Sequence, residues 1–190
     1  MGRELSNVQT RPETTSMALI ALGSNLGNRL EMLRRGTECL VLGGNVFLEA
    51  TSSLYASEPV DADGGEFLNV VIRVRTSLAP LDLLRLVKSI ERDLGRTGAR
   101  GDARTLDIDL LYFGTAAFKS PELEVPHPRR MQRPFVLVPL AEVCGMMPEP
   151  GTDGTIAQRI MGIVDTFMGS VTRIAGPEWL DRRLPVGRSQ

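Results

Sequence analysis

The spacing of apolar and polar residues changes along the chain between that of a strand and that of a helix, and it predicts the secondary structure. A continuous apolar run at Ala18–Leu22 predicts a strand that is buried on both faces. Residues 29–42 carry apolar side chains near helical spacing, which predicts a helix. Val46–Tyr55 and Phe67–Thr76 are rich in β-forming residues and predict two strands. A second apolar stripe at helical spacing begins at Pro80 and predicts a second helix.

The next strand carries two acidic side chains on one face. In the stretch 104–111, the apolar positions from Leu106 to Leu110 alternate with Asp107 and Asp109 at the strand period. Since a strand rises about 3.3 Å per residue, the two carboxylates emerge on one side about 7 Å apart. Such a pair is common on the solvated face of an edge strand, but aspartate is disfavoured in strands and two of them repel each other. Two hard oxygen donors at this separation can hold one Mg²⁺ or bridge two.

The predicted order of elements indicates the fold class. The order β-α-β-β-α-β predicts an α+β protein with a ferredoxin-like βαββαβ core, in which two helices pack on one face of a four-stranded antiparallel sheet. The first strand and the acidic strand then lie near each other. A C-terminal extension follows, and it has to cover the other face of the sheet unless that face is used for binding.

The C-terminal extension is harder to interpret. Residues 114–134 are irregular and rich in proline. Phe135–Val143 is either the start of a strand or a helical turn. Pro139 makes the segment ambiguous, because proline is disfavoured in the interior of a strand and in that of a helix. Ile156–Met168 predicts a helix, and Val171–Ile174 a short strand.

Composition and length predict one domain of ordinary globular type. The chain has 190 residues, of which 42% are hydrophobic and 24% charged, and its net charge of −1 excludes a general nucleic-acid polyelectrolyte. We expect residues 1–16 to be a disordered tail rather than a secretory signal, and residues 17–176 to form the domain. Residues 177–190 are expected to be a C-terminal tail, in which Trp179 folds back onto the domain. The two cysteines lie in apolar settings without metal-ligand spacing, which favours reduced thiols and a cytoplasmic location. No apolar run is long enough to span a membrane.

Basic side chains are clustered on either side of the acidic strand. Arg96, Arg100 and Arg104 precede it, and Arg129–Arg133 follows it with three arginines in five residues. Carboxylates that bind a metal beside several guanidinium groups are what a polyphosphate requires. His127 lies between two prolines, where a histidine is most often structural, but the neighbouring arginines allow it to meet a phosphate.

Two further patterns have a structural and a functional interpretation. Gly23–Gly27 is either a simple strand-to-helix turn or a backbone cradle for a phosphate at the start of the helix. Phe67 and Phe135 are each at the edge of an element, where phenylalanine is usually part of the core. Asn69 shares a strand face with Phe67, and an amide beside an aromatic ring can bind a flat heterocycle.

Six short segments, taken in their order along the chain, resemble the 6-hydroxymethyl-7,8-dihydropterin pyrophosphokinases of folate synthesis. The resemblance covers about residues 17–175. Each segment alone is weak, and the shared order makes the set specific. The segments are Ala21–Gly27, Ser52–Tyr55 with Glu58–Val60, Phe67–Asn69, Ile90–Glu91 with Gly95–Arg96, Arg104–Leu111, and Val125–Pro128 with Arg133–Val136 and Pro139–Leu140.

The resemblance implies an activity, two co-substrates and a set of site residues. The expected reaction transfers the pyrophosphoryl group of ATP to the hydroxymethyl group of the pterin and releases AMP. Two Mg²⁺ ions are expected on Asp107 and Asp109, which also count as catalytic with Arg96 and Arg104. The residues expected to bind ATP are Glu91, Arg96, Arg100, Arg104, His127 and Arg133. The residues expected to bind the pterin are Ser57, Val60, Phe67, Asn69, Asp107 and Phe135, with the two rings on either side of the substrate.

One stretch departs from the family pattern and keeps an alternative open. Arg96 is not followed by a second arginine two residues later, and Arg104 is not preceded by a Trp with Gly-Pro. Arg100 can stand in for one missing contact. A non-catalytic pterin or nucleotide binder of the same fold is therefore the alternative to the enzyme. The strands lack the interleaved aromatic and basic residues of an RNA-binding sheet, which argues against a nucleic-acid partner. We expect small-molecule substrates, no membrane partner, and a monomer.

Overall fold

The fold is organised around one antiparallel sheet. In the computed structural model the described residues are 15–59, 65–95 and 105–181. The strands are β1 (Ser16–Ser24), β2 (Val46–Thr51), β3 (Leu54–Ser57), β4 (Phe67–Thr76), β5 (Asp107–Phe113), β6 (Phe118–Lys119), β7 (Glu124–Val125) and β8 (Thr172–Ala175). The helices are α1 (Arg29–Leu42), α2 (Pro80–Asp93), α3 (Pro134–Val143), α4 (Ile156–Ile160) and α5 (Val164–Phe167), with 3-10 turns at Arg130–Gln132, Met168–Ser170 and Pro177–Leu180.

The strand order confirms the predicted ferredoxin-like core. Within the described part of the chain the sheet runs β5-β1-β4-β3-β8, and β2 also pairs with β4. β1 is central and pairs antiparallel with β4 on one side and β5 on the other. The first strand and the acidic strand are therefore direct neighbours, as predicted. Gly23 of β1 lies opposite Asn69 of β4 and opposite Asp107 of β5, so these three residues form one row across the sheet.

Each face of the sheet has its own hydrophobic core. α1 and α2 cover one face, where Leu33 and Val87 pack with Ile20 and Ile108. α1 begins as predicted, because the side chain of Asn28 accepts a hydrogen bond from the backbone N–H of Glu31 at 3.2 Å. α3 and α4 pack on part of the other face, and Ala21, Asp107 and Asp109 on that face line a cleft. The C-terminal extension therefore both covers the sheet and leaves room for binding.

An irregularity in β5 lets that strand serve both cores. The pairing with β1 skips Leu111, since Leu19 lies opposite Tyr112 whereas Ile20 lies opposite Leu110. Leu111 and Tyr112 therefore both face α3, although they are consecutive. The predicted alternation up to Leu111 is confirmed: Leu106, Ile108 and Leu110 are buried under the α1 and α2 helices.

Three predicted elements differ from the structure. Val46–Tyr55 is not one strand, because the ladder breaks at Ser52 and Ser53 and continues as β3. Ile156–Met168 is not one helix: Gly162 has a φ of +80°, a left-handed conformation that ends α4 before α5 begins. β1 extends through Ser24, so Gly23 is a strand residue rather than part of the turn. The ambiguous segment Phe135–Val143 is helical, with Pro139 inside α3.

The chain continues to pack on the domain after residue 176. Trp179 is fully buried, as the prediction that it folds back requires. Its Nε1 donates to Thr51 Oγ1 at 3.0 Å and to the Ser52 carbonyl at 2.9 Å, and Arg34 Nε donates to the Trp179 carbonyl at 2.8 Å. The folded chain therefore extends beyond the predicted boundary. The predicted tails 1–16 and 177–190 otherwise fall mostly outside the described residues.

Among the described residues, none of the helices has both the length and the apolar character needed to cross a membrane.

Candidate active site

A small cleft lies on this face of the sheet, beside the first turn of α3. It brings together side chains from four separate elements, and five of the predicted site residues are among them. The lining residues are Ala21, Leu22 and Gly23 of β1, Phe67 and Asn69 of β4, Asp107 and Asp109 of β5, and Phe135 and Val136 of α3.

The two carboxylates enter this cleft on the same face of β5, as the strand period predicts. Asp107 lies opposite Gly23 and Asp109 lies opposite Ala21, so the neighbouring strand has small residues where the acids need space. A Cβ on Gly23 would lie only 3.2 Å from Asn69 Oδ1 and 3.7 Å from the ring of Phe67. The glycine therefore gives the amide of Asn69 room that a larger residue would restrict, a role that its predicted position in a turn did not indicate.

Asp109 is part of a small charged cluster. Arg133 donates from Nη1 to Asp109 Oδ2 at 3.1 Å, and His127 Nε2 lies 3.9 Å from the same oxygen. The Nδ1 atom of His127 accepts from the Arg129 backbone N–H at 3.2 Å, so the neutral ring carries its proton on Nε2, toward the carboxylate. Burial lowers the pKa of His127; Asp109 opposes this shift, and the nearby arginines reinforce it. The imidazole therefore is a neutral donor at neutral pH.

The predicted aromatic residues lie in the same cleft, and a polar edge lies beside them. Phe67 begins β4 and Phe135 lies in the first turn of α3, so two distant segments supply the rings. Asn69 Nδ2 donates to Ser57 Oγ at 3.0 Å, which directs the amide of a buried asparagine. The Arg133 guanidinium carbon lies 5.7 Å from the centroid of the Phe135 ring and joins the aromatic and charged parts of the cleft.

Some predicted site residues do not lie in the cleft. Glu91 is on α2, which packs on the opposite face of the sheet, and its side chain is 1% exposed. Its carboxylate accepts from the Ile108 backbone N–H at 2.9 Å and from Lys88 at 2.7 Å. The other predicted residues that cannot be placed lie outside the described part of the chain: Val60, Arg96, Arg100 and Arg104.

The arginine cluster 129–133 does not act as one anion site. Arg133 lies beside the cleft and pairs with Asp109, but Arg130 turns into the protein and pairs with Glu149 at 2.7 Å. Tyr112 donates to the same carboxylate at 2.8 Å and accepts from Arg130 Nε at 2.7 Å. The resemblance selects Arg133, which begins the segment Arg133–Val136, and gives Arg130 no role; the partner of Arg130, Glu149, comes from a distant loop and is not indicated by the local sequence.

The carboxylates of the cleft fit a magnesium site, although the described residues contain no group of three potential ligands. Mg²⁺ usually keeps several waters and is bound by one or two carboxylates together with substrate phosphates, so a full protein cage is not expected. Asp107 and Asp109 supply hard oxygen donors on one face of a strand and are both part-exposed to the cleft. This donor set suits a metal that arrives with a phosphate ligand.

Fold and site together define a class: a ferredoxin-like α+β protein with a pair of carboxylates and a pair of aromatic rings in one cleft. The family model described as 7,8-dihydro-6-hydroxymethylpterin-pyrophosphokinase (HPPK) matches residues 19–145, more than half of the chain. The chain therefore belongs to the HPPK family.

Curated relatives agree with the family match. The chain is 41% identical over 145 residues to the 2-amino-4-hydroxy-6-hydroxymethyldihydropteridine pyrophosphokinase of Bacillus subtilis, covering 75% of this chain and 87% of the relative. It is 35% identical to the Synechocystis protein of the same name, covering 78% and 77%. A mitochondrial folate synthesis bifunctional protein of Arabidopsis thaliana is 36% identical over 92% of this chain, which spans 32% of that relative.

Solved structures show the same fold. A crystal structure of an HPPK-DHPS in complex with substrates gives a TM-score of 0.66 at 12% identity, over 83% of this chain and 46% of the other. A Plasmodium falciparum HPPK-DHPS gives a TM-score of 0.64 at 15% identity, over 88% and 50%. The chain thus spans about half the length of these two-part proteins and matches one part of them.

Proposed function

We propose that this protein transfers the pyrophosphoryl group of ATP to the hydroxymethyl group of 6-hydroxymethyl-7,8-dihydropterin and so works in folate biosynthesis. The observation that carries the proposal is the single cleft that holds Asp107 and Asp109 together with Phe67, Asn69 and Phe135. Family membership supplies the reaction class, and ATP is its co-substrate. A flat heterocycle and a charged triphosphate need these two kinds of surface side by side.

The pterin is assigned to the aromatic half of the cleft. Phe67 and Phe135 supply ring faces for stacking, and stacking a flat base on an aromatic side chain contributes about 1–3 kcal/mol. The amide of Asn69 is assigned to hydrogen bonds with the polar edge of the pterin. Ser57 Oγ accepts a hydrogen bond from this amide and so fixes its orientation. Ser57 pairs with Phe67 across the ladder between β3 and β4, so the polar edge and one ring are held in a single register.

The triphosphate is assigned to the charged half. Asp107 and Asp109 are the residues that would hold two Mg²⁺ ions, and when bound these ions supply neutralisation of phosphate charge. Arg133 and His127 lie beside Asp109 and present a guanidinium and an imidazole N–H to the phosphates. Arg96, Arg100 and Arg104 keep the phosphate-binding role that the resemblance implies for them, and Arg96 and Arg104 the catalytic one.

The reaction needs positioning and charge stabilisation more than covalent work by the protein. The substrate hydroxyl oxygen bonds to the β-phosphorus of ATP, the bond from that phosphorus to the oxygen bridging the α-phosphate breaks, and AMP leaves with this oxygen. The hydroxyl proton has to be accepted in the cleft. Asp107 is our candidate acceptor, because it lies in one row of the sheet with Asn69, which we assign to the pterin.

A product assay tests this function directly. With MgATP and 6-hydroxymethyl-7,8-dihydropterin, the full chain should release AMP and form the pterin diphosphate in equal amounts. ADP as the nucleotide product would show a different reaction, and binding of pterin without release of AMP would favour the non-catalytic alternative. Asp109→Asn should abolish turnover, whereas Asp82→Asn on the exposed face of α2 is the matched control and should leave it intact.

The metal and the assembly state are further parts of the proposal. Turnover should cease when a chelator removes Mg²⁺ and return when Mg²⁺ is added. We also propose that the protein acts as a monomer and that it works in the cytoplasm. Sedimentation of the active protein tests whether it is a monomer, and fractionation of the source cells tests whether it is cytoplasmic.

A further inference from the structure

A buried polar network adjoins the charged half of the cleft without opening into it. It consists of Arg130, Glu149 and Tyr112, and we call it the Arg130 network. The exposed fractions of the Arg130 and Glu149 side chains are 16% and 5%, and Tyr112 is fully buried. Each member bonds to the other two: Arg130 to Glu149 at 2.7 Å and to the Tyr112 hydroxyl at 2.7 Å, and Tyr112 to Glu149 at 2.8 Å.

The guanidinium also binds the segment that carries His127. Arg130 Nη1 donates to the His127 carbonyl oxygen at 3.1 Å. The His127 backbone N–H in turn donates to the Leu111 carbonyl of β5 at 2.9 Å. Both sides of the His127 backbone are therefore attached to β5, directly through Leu111 and indirectly through Arg130 and Tyr112. Asp109 lies on the same strand, so the network fixes the spacing between His127 and Asp109.

Arg130 also begins a short 3-10 turn that is followed directly by Arg133. The turn Arg130–Gln132 joins the network to the residue that pairs with Asp109 at 3.1 Å. Glu149 belongs to a distant loop, where its backbone N–H donates to the Gly154 carbonyl at 2.9 Å. This loop therefore supplies a rigid support outside the cleft, from which Arg130 can hold the segment between His127 and Arg133.

We propose that the Arg130 network is a positioning device, which sets His127 and Arg133 against Asp109 for binding of the ATP phosphates. This inference rests on the proposed function. It explains why a charged pair is buried at this place, where well-packed apolar residues often stabilise a fold as well or better. Removing the network should change the use of MgATP, but not that of the pterin, whose rings and amide lie elsewhere in the cleft.

The test removes all polar groups of the network at once, so that no buried charge is left without a partner. The triple variant Tyr112→Phe, Arg130→Met, Glu149→Leu keeps side chains of similar size and should melt near the wild-type temperature. The KM for MgATP should rise about tenfold, which corresponds to about 1.4 kcal/mol. The KM for the pterin should change less than about twofold, because the contacts of Phe67 and Asn69 are preserved.

A matched control comes from a part-buried ion pair elsewhere on the sheet. Glu49 and Arg75 form a pair at 2.6 Å between β2 and β4, and their side chains are 14% and 33% exposed. The double variant Glu49→Leu, Arg75→Met removes this pair, together with the 3.5 Å contact between Glu49 and Arg73, without touching the segment 127–133. It should leave both KM values unchanged.

The chain offers a second measurement that does not depend on activity. His127 is its only histidine, so the imidazole nitrogen spectrum of the tag-free protein reports this side chain alone. In the wild type we expect one tautomer, with the proton on Nε2. In the triple variant the two nitrogen shifts should move toward each other as the tautomers mix.

The outcomes separate the proposal from the function on which it rests. If the wild type releases no AMP, the proposed function fails, and the imidazole spectra alone decide whether the network positions His127. A folded triple variant with wild-type imidazole shifts and wild-type KM for MgATP would overturn the inference. If the triple variant does not fold, Arg130→Lys replaces it, since an ammonium cannot reach all three acceptors in the fork geometry of arginine. The Arg130→Lys variant should show smaller changes of the same kind in the imidazole nitrogen shifts and in the KM for MgATP. Their absence would equally overturn the inference.

Discussion

Glu91 provides the sharpest distinction between what the sequence predicts and what the structure shows. The resemblance places it among the ATP-binding residues. In the structure its buried carboxylate accepts from the backbone N–H of Ile108 at 2.9 Å and from Lys88 at 2.7 Å. That N–H belongs to the peptide bond between Asp107 and Ile108. Glu91 therefore holds the strand at the point where the first cleft carboxylate emerges, and we predict that it acts as an anchor of β5.

The geometry sets the size of the expected effect. A hydrogen bond to a charged acceptor contributes about 1.5–3 kcal/mol, and a buried N–H without a partner loses this entirely. The Lys88 side chain is 46% exposed, so its ion pair adds no more than about 1 kcal/mol. Glu91→Ala should lower the free energy of unfolding by about 2–4 kcal/mol. Glu91→Gln keeps an oxygen that accepts from Ile108 and should cost about 1 kcal/mol or less.

Urea unfolding and steady-state kinetics on the same variants provide the assay. Glu91→Ala should also lower kcat, because Asp107 is less firmly placed, while the folded Glu91→Gln enzyme should keep its KM for MgATP within about twofold. Lys88→Met is the control for the ion pair alone and should leave kcat unchanged. The anchor role is refuted if Glu91→Gln retains full stability but raises the KM for MgATP about tenfold, since that pattern belongs to a direct contact with the nucleotide.

Three other results are expected. Trp179→Ala should lower the free energy of unfolding by about 3–5 kcal/mol in urea, as for other buried aromatic residues, without changing turnover per folded molecule; unchanged stability would show that the C-terminal packing is weak. Burial and the hydrogen bond to Glu142 raise the pKa of Tyr55 to about 12, and burial raises the pKa of Tyr112 as well. Since these are the only two tyrosines, ultraviolet absorbance at about pH 11 should show far less tyrosinate in the folded than in the unfolded protein, and stability should fall as the pH rises above about 10. Phe135→Leu should raise the KM for the pterin between about fivefold and 150-fold and leave that for MgATP unchanged, and equal changes in both would contradict the division of the cleft.

The sequence was most informative where structure depends on neighbouring residues. Helical spacing in residues 29–42 and the proline at position 80 predict α1 and the start of α2 as they are found. Alternation predicts that Asp107 and Asp109 share a face, and the structure confirms it. These features are local, because periodicity and capping groups act over a few residues. The order of six short segments then identified the family, which no single segment could have done.

Tertiary structure decided which of several similar residues reaches the cleft. The resemblance selects Arg133 but gives no role to Arg130, and only the structure shows that Arg130 pairs with Glu149 inside the protein while Arg133 pairs with Asp109 of the cleft. Glu91 is likewise assigned by its partner, the buried N–H of Ile108. The break at Ser52 also depends on a distant partner, since the Ser52 carbonyl accepts from Trp179 Nε1. The sequence alone determined the elements and the chemistry available, whereas the partner of each charged group was decided by packing between distant segments, because a buried charge takes the orientation in which it is paired.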